Sequence, residues 1–309
     1  MTNVKRRLQL ILIVAFVMVC AAGTWLCFWP SRPVGHGPAG PVLPTAEFAR
    51  PWTERTVLLV GLGDSVTAGF GARKGYGYFD RLIRNPTEEL SDMKGISLSV
   101  VLPGLRATNL AVSGSTSMEH VEKQLPRLPK ADSNTLGIVV LTTGGNDLIH
   151  NYGRTPPREQ AMFGATWAEA EPWIKNFESR LESMLAAIEA RFPGGCHMFL
   201  ANIYDPTDGA GDIQRAGLPV WKDGLRILGE YNDIIKRCAE RHSNVHLVDL
   251  HAAFLGHGIH CTQFWSKHYD VNDPHYWYHV NLEDPNERGY DAIRRLFLIE
   301  MTKVASQLK

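Results

Sequence analysis

Hydrophobic positions along this chain follow three patterns. An uncharged apolar run covers residues 8–29, short apolar runs recur from residue 56 onward, and the stretches between them carry apolar residues at helical spacing. The runs at 56–61, 97–102, 137–142, 196–203 and 245–250 read as strands. The clearest helical pattern spans 167–192, where Ile174, Phe177, Leu181, Met184, Leu185 and Ile188 fall on one face. Two more helices are predicted, one ending near His242 and one over 286–307. Strands that alternate with helices predict parallel β-α-β units and a three-layer α/β/α domain with a central sheet of about five strands. Active residues are then expected on loops after the carboxyl ends of the strands.

The first apolar run follows Lys5, Arg6 and Arg7 and has about the ~20 residues that a helix needs to cross a bilayer. The basic cluster would stay in the cytoplasm. A cleaved signal peptide is the rival, since Cys20-Ala21-Ala22 offers small residues after a suitable apolar core. The anchor is favoured because apolarity continues through Trp25 to Trp29. A lipoprotein signal is disfavoured by Val19, which stands before Cys20 where a small residue is wanted. Residues 30–53 turn to proline, glycine and alanine and read as a semi-rigid linker. The chain therefore divides into an anchor or signal peptide (1–29), a linker (30–53) and a globular domain (54–309). The domain lies outside the cytoplasm if the helix is an anchor, and is secreted if the leader is cleaved.

Lysine plus arginine number 32 and aspartate plus glutamate 32, so no global field favours nucleic acid, and a small or polymer-borne substrate fits better. With 44% hydrophobic and 21% charged residues the chain can build a real core. Five cysteines are too few for a disulfide scaffold, and Cys196, Cys238 and Cys261 allow at most one bridge in the domain. No CxxC pair marks a zinc or redox site, and no cofactor motif is present.

The run at 57–60 breaks into Gly61-Leu62-Gly63-Asp64-Ser65-Val66-Thr67-Ala68-Gly69, a glycine-rich turn that presents one side chain at the sheet edge. A dinucleotide fingerprint would need a third glycine where Val66 stands, and a G-x-S-x-G elbow fails at Thr67. The block resembles that of the SGNH/GDSL hydrolases, of the form G-D-S-x-T-x-G, and Gly63, Asp64, Ser65, Thr67 and Gly69 all match. Asn109 to Gly114 resembles the family's second block and Gly144-Gly145-Asn146-Asp147 its third. The resemblance spans about residues 55–306 and implies a flavodoxin-like fold with Ser65 as nucleophile. It also implies an oxyanion hole drawn from Ser65 N–H, Gly114 N–H and the Asn146 amide. Such donors hold the charge that develops on a tetrahedral intermediate. Taken singly, Gly114 reads as a turn residue and Asn146 as a helix cap.

The family's last block, D-x-x-H-P, aligns with Asn281-Leu282-Glu283-Asp284-Pro285. Asp284 stands in the histidine's place and Asn281 in the aspartate's. With an ordinary pKa near ~3.9, Asp284 would be a poor base for serine at neutral pH. The preceding loop offers His257, His260, His268, His275 and His279. His275 is the first choice for the base, with Asp273 two residues before it as orienter and aromatics after it to exclude water. His279 is the runner-up base, and Asp270 the other orienter. His150, three residues after Asp147, belongs to the third block's surroundings. The histidines lack metal-ligand spacing, so a metal-dependent hydrolase is the weaker alternative. The leading expectation is an esterase that cleaves carboxylic esters, acetyl or longer acyl, through an acyl-enzyme on Ser65. An inactive envelope recognition module is the competing expectation, and the segments 150–166 and 205–217 are expected to wall the substrate site.

Overall fold

The computed structural model describes residues 2–28 and 30–308. Strands β1 (Thr56–Leu62), β2 (Gly104–Asn109), β3 (Thr135–Thr142), β4 (Cys196–Ala201) and β5 (Val245–Val248) form one sheet in the order β2-β1-β3-β4-β5. Every neighbouring pair is parallel. The main helices are α1 (Thr2–Phe28), α2 (Ser65–Ala68), α3 (Tyr78–Ile83), α4 (Leu98–Val101), α5 (Gly145–Ile149), α6 (Trp167–Glu189), α7 (Gly224–Arg241) and α8 (Glu287–Val304).

Side chains alternate between the two faces of a strand, and here both faces are covered. In β3, Leu136, Ile138 and Val140 join one core, with Phe297 and Leu298 of α8. Val139 and Leu141 join the other, with residues of α6 and α7. Burial on both sides explains why the central strands read as unbroken apolar runs. The three-layer α/β architecture is as expected.

One strand is not where its pattern placed it. Residues 97–102 hold a helical turn, α4, whose buried Leu98 and Val101 lie three residues apart; the strand follows at Gly104–Asn109. That strand is an edge of the sheet, with Arg106 and Ala107 exposed, and its low apolar content hides it.

The segment expected to be a semi-rigid linker is docked on the domain. The Thr262 hydroxyl donates to the Ser31 carbonyl at 3.0 Å, and the Tyr276 N–H to that of Pro33 at 2.8 Å. Arg288 Nη1 donates to the carbonyls of His36 (2.8 Å) and Gly37 (3.0 Å), and the Ala39 N–H to Asp291 Oδ2 at 3.1 Å. Ala39 and Leu43 are buried, and Gly40 lies so close to Ala292 that a Cβ would stand 2.9 Å from its Cα. A proline-rich strand has few N–H groups of its own, so the domain supplies donors to its carbonyls instead. The packed unit therefore begins well before residue 54.

Helix α8 is fixed by a buried ionic cluster. Arg294 donates to Glu89 through Nη1 at 2.5 Å and Nη2 at 2.7 Å, and through Nε to Asp291 at 2.7 Å. Removing one member of such a cluster costs about 3–5 kcal/mol, because it strands the partner's charge. Within α1, Val4–Trp25 is long and apolar enough to cross a membrane and is not buried in the domain. Trp29, the end of the expected leader, lies outside the described residues. Cys196, Cys238 and Cys261 are buried and unbridged.

Candidate active site

β1 and β3 lie side by side where the strand order reverses, the position at which open α/β sheets place their ligands. The turn after β1 is built by close approach. Gly63 has φ +131°, and a Cβ there would meet the Thr142 carbonyl oxygen at 2.3 Å, so only glycine fits. Asp64 caps α2, its Oδ1 accepting the Val66 N–H at 3.1 Å and the Thr142 hydroxyl at 2.8 Å. Ser65 opens that turn, and Gly69, at φ +79°, ends it. Burial raises the Asp64 carboxyl to about 6, against the lowering effect of those two donors.

The second block closes on this turn from β2. Asn109 Nδ2 donates to the Thr67 carbonyl at 2.8 Å, and the Val112 N–H to that of Gly63 at 3.1 Å. Gly114 follows with φ +81°. Gln124 grips Gly63 from both sides, Nε2 donating to its carbonyl at 2.7 Å and Oε1 accepting its N–H at 2.9 Å. His120 sits between the hydroxyls of Thr143 (2.9 Å) and Ser115 (3.1 Å), and burial lowers it to about 4, so it is uncharged at neutral pH. The third block arrives after β3. Asn146 is buried and donates from Nδ2 to the Ser115 carbonyl at 3.0 Å, joining it to the residue after Gly114. Asp147 is buried and accepts the Ser117 N–H at 2.8 Å, and burial raises it to about 6.

The last block forms a tight loop before α8. The His279 N–H donates to the Asp284 carbonyl at 2.7 Å, and the Leu282 N–H to that of His279 at 3.1 Å. Asn281 Nδ2 donates to Asp284 Oδ2 at 2.7 Å. Oδ1 is buried and meets no donor at full hydrogen-bond geometry, and the Ser65 hydroxyl lies near enough to the carboxyl to act on it. Burial holds the Asp284 carboxyl above its ordinary range, outweighing the Ser65 hydroxyl, the Asn281 amide and nearby His279, all of which lower it. Glu283 next to it is raised to about 7, by burial and then by the charge of Asp284. The His279 ring packs over Gly71, where a Cβ would stand 2.9 Å from it, and meets Phe70 edge-on at 6.1 Å.

His275 and Asp273 do meet, Nδ1 to Oδ1 at 2.5 Å, but in a different setting. Asp273 is held by Arg288 Nη2 at 2.6 and 2.7 Å and by Trp277 Nε1 at 3.2 Å. The His275 ring lies against Gly35 of the docked segment. The pair thus faces residues 33–37, and Asp284, in the histidine's aligned place, is the group set against Ser65. Asp270 accepts the Asn272 N–H at 2.8 Å in a local turn. His257 stacks on Trp277 at 3.5 Å, and His260 bridges Asp212 and Gln263, both at 2.9 Å. His257 and His260 are thus engaged within the loop itself, which their spacing alone does not reveal.

From Ser65 and Asn146 a cleft runs between the ends of β3 and β4. Leu148, Phe163, Ile203, Ile213, Trp221 and Leu228 make it mainly apolar, and Tyr152 and Asp205 reach it from the two segments expected to wall it. Thr142, Gln124 and His120 hold the site together and were missed. Thr142 adjoins the third block, which is a usable signal, whereas Gln124 and His120 carry none.

The model of the GDSL-like Lipase/Acylhydrolase family matches residues 62–292. An extracellular lipase from Streptomyces rimosus superposes with a TM-score of 0.54 at 19% identity, over 79% of this chain and 99% of that one. An acetylxylan esterase from Geobacillus stearothermophilus gives 0.49 at 20% identity, over 80% and 94%. Phospholipase A1 from Streptomyces albidoflavus gives 0.47 at 20% identity, over 80% and 99%. No curated protein matches the chain.

Proposed function

This chain belongs to the GDSL-like lipase/acylhydrolase family and is an ester-hydrolysing serine hydrolase, and we propose that its base is Asp284 rather than a histidine. The reading is supported by one observation, the proximity of the Ser65 hydroxyl to the buried Asp284 carboxyl. Ser65 Oγ attacks the ester carbonyl carbon while its proton passes to Asp284. Ser65 N–H, Gly114 N–H and Asn146 Nδ2 receive the oxyanion. The intermediate collapses, the leaving alkoxide takes the proton from Asp284, and an acyl-enzyme remains. Water then attacks with Asp284 again as base, releasing the acid and restoring Ser65.

A carboxylate at its ordinary pKa is too weak a base for this work, but burial has moved Asp284 towards the working range. Asn281 occupies one carboxyl oxygen and so orients the other. The apolar cleft beside Ser65 receives the acyl part of the substrate. The N-terminal helix anchors the chain with Lys5, Arg6 and Arg7 in the cytoplasm, so the ester lies outside it.

Labelling with a fluorophosphonate probe is the direct test. Wild type is expected to label and Ser65→Ala not to. Folded wild type that neither labels nor turns over any p-nitrophenyl ester would establish the inactive recognition module instead.

A further inference from the structure

We propose that the loop bearing Phe264 and Trp265 lies in the headgroup layer of the membrane that α1 enters, giving the domain a second contact with the bilayer. The proposal rests on the reading of α1 as an anchor. Val4–Trp25 comprises 22 residues, and at ~1.5 Å per residue such a helix spans about 33 Å, enough for the hydrocarbon core. The helix continues to Phe28, and three residues later the Ser31 carbonyl is already bonded to the Thr262 hydroxyl at 3.0 Å. Three extended residues reach at most about 10 Å. Two residues further the Tyr276 N–H holds Pro33 at 2.8 Å. There is no slack in which the domain can stand off, so Thr262 is pinned close to the membrane surface.

Phe264 and Trp265 stand two and three residues after Thr262, past Gln263. They are 60% and 48% exposed and meet edge-to-face at 4.8 Å. Val271, at 73%, extends the same loop, and Lys267 between them is exposed. Aromatic rings with a nearby cation are the residues that favour the headgroup level, where one side is apolar and the other wet. The occupant is therefore lipid, reached because the leash is short.

The full chain is reconstituted in phosphatidylcholine vesicles with acyl chains brominated near the headgroup, and tryptophan emission is compared between wild type and Trp265→Phe. The difference isolates Trp265 from the tryptophans of α1. The expected result is that the emission assigned to Trp265 is quenched by brominated but not by ordinary lipid, and is shielded from aqueous iodide. Turnover of a soluble ester confirms that both proteins are folded. A chain that stays with the vesicles through a carbonate wash while Trp265 is quenched by iodide and not by bromine overturns the proposal. A chain that washes off overturns both it and the anchor.

Discussion

The turn at 63–69 and the loop at 279–286 face each other across the site and are built in opposite ways. The first is held by backbone constraint. Gly63 is fixed by the Thr142 carbonyl, Asp64 caps α2, and Gln124 clasps Gly63 on both of its peptide groups. Most side chains there are committed before any substrate arrives, and Ser65 is the one left to react. The second is tied down largely by side chains: the Asn281 amide bonds Asp284 at both its carboxyl and its N–H, the Tyr204 hydroxyl donates to the Glu283 carbonyl, and Asn286 Nδ2 donates to the carbonyls of Tyr276 and Tyr278. On the proposed assignment of Asp284 as base, a site keeps a rigid nucleophile while its proton acceptor changes identity, because the acceptor has only to be near and suitably basic.

The sharpest way to break this comparison is at its rigid side. Ser65→Ala should abolish turnover and covalent labelling while melting temperature holds, and any residual burst in stopped-flow would place the nucleophile elsewhere. On the loop side, Asp284→Asn keeps the shape and removes the base, and should lower kcat by about 10²- to 10⁴-fold. The pH profile sharpens the same point. Asp284 acts only when ionised and its pKa is raised, so kcat/KM should climb with pH through a limb above the ordinary carboxylate range. Asp284→His should move that limb to near ~6.5, the ordinary histidine value; an unmoved limb would mean that another group titrates.

Asn146→Ala removes one oxyanion donor and should cost about 10²- to 10³-fold in kcat with KM little changed, as a KM-against-kcat comparison would show. His279 lowers the Asp284 pKa, so His279→Ala should push the ascending limb further upward with a smaller loss at its plateau. The smallest effect is expected at His275, whose ring faces Gly35. His275→Ala should leave kcat/KM unchanged, and a loss as large as that of Asp284→Asn would return the base to His275.

These contrasts also explain what could be read from the residues alone. β3 and β4 are covered on both faces, so their apolar runs mark them, as does the helical spacing of Ile174 to Ile188 in α6. The nucleophile turn is legible because Gly63 answers to a steric demand that no other residue meets and Gly69 to a left-handed φ that favours glycine. β2 hid because an edge strand needs little apolar surface, while the apolar 97–102 is a helical turn. D-x-H spacing does bring His275 and Asp273 together, but which way the pair faces is revealed only by the docked segment 33–37. Proline-rich composition signals extended backbone, but whether such backbone floats or lies down depends on donors far along the chain, here Tyr276 and Arg288.

The joins that close the site are long in sequence. The Tyr290 hydroxyl donates to the Phe70 carbonyl across 220 residues, and Arg73 pairs with Glu287 across 214. A chain made from its amino terminus therefore carries Ser65 for some 220 residues before the proposed base, Asp284, is made. With Asp284 as the proposed base, competence waits on the segment that carries it, so the appearance of esterase activity during refolding should report completion of the whole domain rather than formation of any local element.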